Sequence, residues 1–359
     1  MHNPTPRPRP ARLGAALLGI GLAAGGGPTL GAPGPAPDAI AGCAAISADQ
    51  ARLACYDRLS GRADTAATGP SAERTAMSAP PAAVTPESPM ATSDSLIDAA
   101  WGFSPNSSRY TISLYRPNYL QVASYSSRPN DAAFEQLFTA LDDTDAELDS
   151  TEAQFQISVK ARLWATEDRR FGVWAAYTQQ SQWQVYNDDL SRPFRETNYQ
   201  PELILSYNPD LAFGGFNWRV FNVGYNHQSN GRSDPISRSW DRLIAEFGIE
   251  RGNFALLIRP WAILNDGDDD NPEIEDYMGW GDITALYKWR DNSFTLMGRG
   301  NPDTGKGAAQ FTWTSPPILG PLRGYVSAFT GYGETMIDYD WNQNTVGIGV
   351  SLNDLLDRP

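Results

Sequence analysis

The stretch FQISVKARL, residues 155–163, sets Phe155, Ile157, Val159, Ala161 and Leu163 in alternation with Gln156, Ser158, Lys160 and Arg162. Alternation with period two marks a strand whose two faces meet different surroundings. Here one face is apolar and the other carries cations. Lys and Arg are poor material for the core of a soluble sandwich, but they suit a barrel that is greasy outside and polar inside. NTVGIGVSL, near the C-terminus, repeats the rhythm: Val346, Ile348, Val350 and Leu352 point one way, Gly347, Gly349 and Ser351 the other. About twelve such runs follow one another, near 118–126, 152–164, 171–186, 195–208, 216–230, 237–250, 253–264, 278–290, 293–300, 308–315, 322–332 and 344–352, an even count as bacterial barrels require. Longer polar connections fall near 127–151, 187–194, 231–236, 265–277 and 333–343, and most others are brief, such as Arg251-Gly252 and Asp291-Asn292. Short periplasmic turns and longer outer loops are the asymmetry of an outer-membrane barrel. The expected fold is all-β, a twelve-stranded antiparallel transmembrane β-barrel over 108–359 with an N-terminal extension.

Composition narrows the partners. No run of about 20 apolar residues follows the N-terminus, which argues against a helical membrane protein. The formal net charge of -14 argues against a nucleic-acid partner, which needs a basic face. Arg7, Arg9 and Arg12 precede LGAALLGIGLAA (13–24) and a tract of small residues. That is an export signal, taken as 1–36. AIAGC, ending at Cys43, resembles a lipoprotein cleavage box, but Pro33, Pro35 and Pro37 separate it from the apolar run. The extension 37–107 holds both cysteines, Cys43 and Cys55, for which one disulfide stapling a small helix is the simplest outcome in an exported chain. From about Gly61 to Asp94 the chain is rich in Ala, Pro, Ser and Thr, the composition of a disordered linker.

NHQSNGRSDPISRSWDR, residues 226–242, contains the only histidine apart from His2. In a strand, residues two apart share a face, so Tyr225, His227 and Ser229 lie side by side, while Gly224, Asn226, Gln228 and Asn230 face the other way. A hairpin centred near Asp234 sets His227 opposite Asp241 and Ser229 opposite Ser239, with directly opposed Cβ atoms about 5 Å apart. One hairpin can thus assemble a nucleophile, a base and a carboxylate. Ser229 becomes nucleophilic when His227 takes its proton, and Asp241 fixes the imidazole and stabilises its charged form. The backbone at Gly231 is a candidate oxyanion donor. The pair lies on the face that the neighbouring alternation assigns to lipid, where polar groups are costly unless they serve a function. Ser237, Asp234 and nearby carbonyls suit an oxygen-only Ca2+ site. A lone His on a strand is nonetheless more often a structural hydrogen-bonding residue.

NHQSNGRSDPISRSW, together with TQQSQW, SRPFRETNYQPEL, DDDNPEIEDYMGW, GYGETMIDYDWNQ and VGIGVSLNDLL, resembles the outer-membrane phospholipase A family of Gram-negative bacteria over roughly residues 108–356. The resemblance implies a bacterial outer-membrane enzyme that hydrolyses the sn-1 and sn-2 acyl esters of glycerophospholipids and lysophospholipids, with A1 and A2 activity, as a Ca2+-dependent homodimer. It implies His227 as general base, Ser229 as nucleophile and the Gly231 amide in the oxyanion hole. The Ser237 side chain and Arg232 carbonyl would bind Ca2+ from one subunit and the Ser191 carbonyl from the other, with Asp234 in an alternative site of the monomer. Gln179 and Tyr199 match dimer-contact positions. Asp241 stands where the best-known members have Asn, from which retained activity with an altered acid limb of the pH profile is expected. The terminal aromatic of such barrels is replaced by Leu355-Leu356 before Asp357. NDGDDDNPE, 265–273, has Gly and Pro misplaced for an EF-hand and reads as a solvated outer loop, with weak cation binding as the lesser alternative. The alternative reading is a structural or pore-forming barrel in which the His-Ser pair is inert.

Overall fold

The structure, a computed structural model, describes residues 42–59, 95–140, 146–264 and 270–357. The expected export signal 1–36, nearly all of the expected linker and positions 265–269 of the acidic loop lie outside the described residues. The chain divides into two units, Met1–Val84 and Thr85–Pro359. In the first, helix α1 (Asp49–Leu59) is joined by a Cys43–Cys55 disulfide to the helical residues 42–44 that precede it. Leu53 on this helix is 62% exposed.

In the second unit the strands are β1 (Thr111–Leu114), β2 (Tyr119–Ser126), β3 (Thr151–Ala165), β4 (Phe171–Trp183), β5 (Phe194–Tyr207), β6 (Leu211–Phe213) and β7 (Phe216–Ser229). They continue with β8 (Ser239–Arg251), β9 (Phe254–Ile263), β10 (Gly281–Trp289), β11 (Asn292–Asn301), β12 (Lys306–Leu319), β13 (Leu322–Tyr332) and β14 (Asn342–Ser351). Twelve of them close a ring. Each pairs antiparallel with its neighbour from β2 through β5 and β7 to β14, and β14 pairs back onto β2. The two short strands are additions: β1 pairs with the far end of β3, and β6 with the start of β7. The expected twelve-stranded transmembrane barrel is therefore present.

The faces follow the alternation. On β3, Ile157, Val159 and Leu163 are exposed outward while Ser158, Lys160 and Arg162 are buried in the lumen. At the long-loop end of the lumen, Arg195 donates to both oxygens of Glu152 at 2.9 and 2.8 Å and to Asp338 Oδ2 at 2.9 Å. Such an arrangement satisfies buried charges that would otherwise be costly.

The short-turn end is filled differently. Helix α2 (Leu96–Trp101), which lies within the stretch read as N-terminal extension, packs its Leu96, Ile97 and Trp101 against inward residues including Trp174, Ile204, Val220, Leu257 and Leu286. Ser95 caps its first turn, and Gly102 closes it in the left-handed conformation. The Ile97 N–H donates to Glu250 Oε2 at 3.1 Å, and Arg162 donates to the Gly102 carbonyl at 2.7 Å. Lys160 lies 3.8 Å from the centre of the Trp101 ring. Gly248 makes the fit possible, because a Cβ there would stand 2.4 Å from Val220 and 3.1 Å from Ile97. Between the two ends the lumen keeps a polar cavity of about 240 Å3 lined by Arg116, Arg242, Arg259, Arg299, Asp282 and Glu334, among others, ample for ordered water.

Candidate active site

β7 and β8 are joined by residues 230–238 at the long-loop end. Asn230 builds this turn: its backbone N–H donates to the Arg238 carbonyl, its side-chain oxygen accepts from the Arg232 and Arg238 amides at 3.2 and 3.0 Å, and its amide nitrogen donates to the Ile236 carbonyl at 2.8 Å. The Asp234-Pro235 peptide is cis. The register places His227 opposite Asp241 and Ser229 opposite Ser239, the pairing expected from a turn centred near Asp234.

The lumen side of the hairpin is a rigid floor. Arg242 donates to Asn226 Oδ1 at 2.7 Å and Gln228 Oε1 at 3.0 Å, Trp240 Nε1 donates to the same Gln228 oxygen at 3.0 Å, and the Arg242 guanidinium stacks on Trp240. These contacts resist the one-residue slip that would exchange the two faces.

The outer side carries the sequence-predicted residues. His227 Nδ1 donates to Asp241 Oδ1 at 2.8 Å, which leaves Nε2 as the acceptor nitrogen. The Tyr225 hydroxyl donates to the same carboxylate oxygen at 2.5 Å. Ser229 lies two residues from His227 on this face and is half-buried. Among the described residues no hydrogen bond engages its hydroxyl, and catalytic hydrogen bonds often tighten only when substrate is bound. Across the sheet, Ser229 is level with Tyr199 on β5, and Tyr199 with Gln179 on β4, so one outward row runs Gln179, Tyr199, Ser229, Ser239.

Gly231 follows at φ +64°, and a Cβ there would stand 3.1 Å from the Tyr199 ring. Both conditions favour glycine. Among the described residues no acceptor takes its N–H, which leaves that amide available for an anionic oxygen.

The residues expected to hold a metal are divided. Ser237 and Ser239 both donate to Asp270 Oδ2, at 2.7 and 3.3 Å, and Asn271 donates to the Ser239 carbonyl. Arg232 follows Gly231, and its guanidinium is drawn toward the β5 carbonyls of Phe194 and Arg195. Asp234 is exposed at the turn tip. Ser191 lies on the separate turn between β4 and β5, and among the described residues no hydrogen bond joins it to the hairpin. Hydroxyl, carboxylate and carbonyl oxygens in this cluster are hard donors, the kind that Ca2+ takes.

The sequence pattern did not reveal the Asp270 contacts or the Tyr225–Asp241 hydrogen bond. The acidic loop has the composition of a solvated segment, yet its end folds onto the β8 hydroxyls. Only its run of carboxylates hinted at this, and Tyr225 gave no signal that separates it from a lipid-facing aromatic.

The family profile described as Phospholipase A1 matches residues 101–352. The phospholipase A1 of Escherichia coli strain K12 is 43% identical over 205 residues, 57% of this chain and 70% of that protein. A putative phospholipase A1 of Neisseria meningitidis serogroup B is 35% identical over 350 residues, 87% of this chain and 90% of that protein. Among solved structures, the outer membrane phospholipase A of Escherichia coli superposes with a TM-score of 0.63 at 39% identity, covering 68% of this chain and 99% of its own. The Salmonella typhi outer membrane phospholipase, described as a dimer with bound calcium, gives 0.65 at 36% identity, covering 73% and 98%.

Proposed function

The chain belongs to the phospholipase A1 family and is a phospholipase of the bacterial outer membrane, and on that footing we propose that Ser229, His227 and Asp241 carry out the hydrolysis. The observation that carries this reading is the His227–Asp241 hydrogen bond on the lipid-facing side, with Ser229 beside it and the Gly231 amide next in the turn. Ser229 Oγ gives its proton to His227 Nε2 and attacks the ester carbonyl carbon. The carbonyl oxygen becomes anionic and accepts the Gly231 N–H. On collapse the ester bond breaks, and the departing alcohol of the lysolipid takes the proton from His227. Water, deprotonated by the same imidazole, then attacks the acyl-Ser229 ester and releases fatty acid. Asp241 keeps Nδ1–H oriented and lies beside the positive charge as it forms.

Substrates are the sn-1 and sn-2 acyl esters of phospholipids and lysophospholipids. The outward placement of the site lets an ester approach from the bilayer without entering the lumen. Ca2+ fits the oxygen donors of Ser237, Asp270 and the Arg232 carbonyl. When bound it supplies positive charge near the developing oxyanion. The active form is a homodimer in which the Ser191 carbonyl of a second copy joins this cluster, Asp234 serves the monomer, and Gln179 and Tyr199 meet their counterparts. The domain organisation proposed with it is export signal 1–36, extension 37–107 and catalytic barrel 108–359, with the helix at 96–101 of the extension packed into the barrel.

The test is hydrolysis of phospholipid in detergent micelles by refolded protein, with Ca2+ or excess chelator, for wild type and Ser229→Ala. Fatty-acid release should need Ca2+ and fall by at least about 1,000-fold in Ser229→Ala, whose barrel still folds. Release unchanged in that variant would remove Ser229 from the mechanism.

A further inference from the structure

We propose that Tyr225 is a positioning residue of the hydrolytic site, acting through Asp241. The inference deepens the reading of Ser229, His227 and Asp241 above and rests on it. Two donors from β7 converge on one oxygen of β8: the Tyr225 hydroxyl at 2.5 Å and His227 Nδ1 at 2.8 Å, both on Asp241 Oδ1. Tyr225 and His227 share the outward face, and Asp241 is the direct cross-strand partner of His227. The phenol reaches it on the diagonal, a span that aromatic side chains cover.

The ring has its own seat. Its cross-strand neighbours are Leu203 on β5 and Leu243 on β8, both exposed on the same face. Packing against lipid and two leucines needs only the ring. The hydroxyl is therefore separable from it, and Phe would keep everything but the bond to Asp241.

The chemistry explains what that bond does. A carboxylate facing lipid is costly unless hydrogen-bonded, and bonds to an anion are short and strong. A carboxylate's terminal torsion is broad and roughly two-fold, so each donor on Oδ1 narrows the range it can take. The second donor holds Oδ1 where Nδ1–H meets it, so that the imidazole keeps its tautomer and presents Nε2 to Ser229. Hydrogen bonds in such a chain also strengthen one another. Tyr225 touches neither ester nor nucleophile; its effect passes through the carboxylate.

The experiment uses the full chain, refolded in detergent micelles with Ca2+, as wild type, Tyr225→Phe, Asp241→Asn and the double variant, with Ser229→Ala in parallel. Tyr225→Phe should fold as wild type by gel mobility, lower kcat about tenfold and leave KM within about twofold. Labelling of Ser229 by a fluorophosphonate should slow in proportion. In the Asp241→Asn background, where the acceptor carries no charge, the same change should cost less than about threefold. Wild-type kcat and labelling in Tyr225→Phe would overturn the inference, as would an equal loss in both backgrounds. An inactive wild type, or an active Ser229→Ala, would instead remove the reading beneath it, and the two failures are told apart.

Discussion

The two faces of the β7–β8 hairpin carry polar residues of similar kind and use them in opposite ways. Inward, Asn226, Gln228, Trp240 and Arg242 are tied to one another, and the lumen around them continues the pattern with Asn222 on Glu246 and Arg116 on Glu202. Outward, His227 and Tyr225 spend their donors on a single carboxylate oxygen, and among the described residues the Ser229 hydroxyl is engaged by no partner. Paired groups hold shape. A nucleophile, the role proposed for Ser229, must be left free to react, and a lipid-facing strand is where leaving it free costs most. The lumen supplies the rigidity that the outer face spends.

If that division holds, breaking the lumen network should damage the fold far more than the chemistry. Arg195 is the clearest target, because its removal leaves Glu152 and Asp338 buried without their shared cation. Arg195→Met should lower barrel stability by about 3–5 kcal/mol, read as the urea midpoint of refolding in micelles. Replacing all three as Arg195→Met, Glu152→Gln and Asp338→Asn should recover most of the loss, since no unpaired charge then remains. An unchanged midpoint in Arg195→Met would mean that water in the lumen screens these charges and that the network does not hold the barrel.

The same division explains what was legible in the sequence. The twelve strands could be read because lipid outside and charge inside impose a strict alternation, as in β3. The His227–Asp241 register could be read because the turn residues around Asp234 fix the pairing. β1 and β6, of four and three residues, are too short to show a period. α2 was hidden in the stretch read as extension, although Ser95 three residues before Asp98 and Gly102 just past Trp101 are its start and stop signals. Asp270 was beyond reach for another reason. A loop's return onto a strand is decided by packing such as Ile274 and Met278 of α3 (Ile274–Met278) against Trp240 and Trp261, and no local pattern announces it.

A smaller effect should separate the outer rim from both faces. Ser237 and Asp270 contact each other at the rim, and among the described residues no hydrogen bond ties either side chain into the lumen network. Ser237→Ala and Asp270→Asn should each raise the Ca2+ concentration for half-maximal activity by about tenfold or more, while the refolding midpoint in chelator stays at the wild-type value. A shifted midpoint with unchanged Ca2+ dependence would make the contact structural and return the acidic loop to its solvated reading.

The smallest effect belongs to the short-turn end, where a polar group is buried without full compensation. Burial raises the Asp98 carboxyl from near 3.8 to about 6; Arg219 at 3.5 Å opposes the rise, and Glu250 and Asp210 add to it. Between those two pH values the folded chain keeps a proton that the unfolded chain has released. Stability therefore falls as pH climbs from about 4 to 6 and stays lowered above. Two pH units correspond to about 3 kcal/mol at most. Asp98→Asn removes that penalty, and its amide oxygen can still accept the bond that Asn208 now gives to Oδ1 at 3.1 Å. The loss of the Arg219 pair is partly offset, because Arg219 retains Asp210 at 2.5 Å and Glu250 at 3.6 Å. The net gain should be about 1–2 kcal/mol at pH 7.5 and near zero at pH 4, measured as urea midpoints in micelles at the two pH values. A variant less stable than wild type at pH 7.5 would show that the ion pair outweighs desolvation, and that α2 is held in the barrel by the same saturated pairing as the Arg195 network.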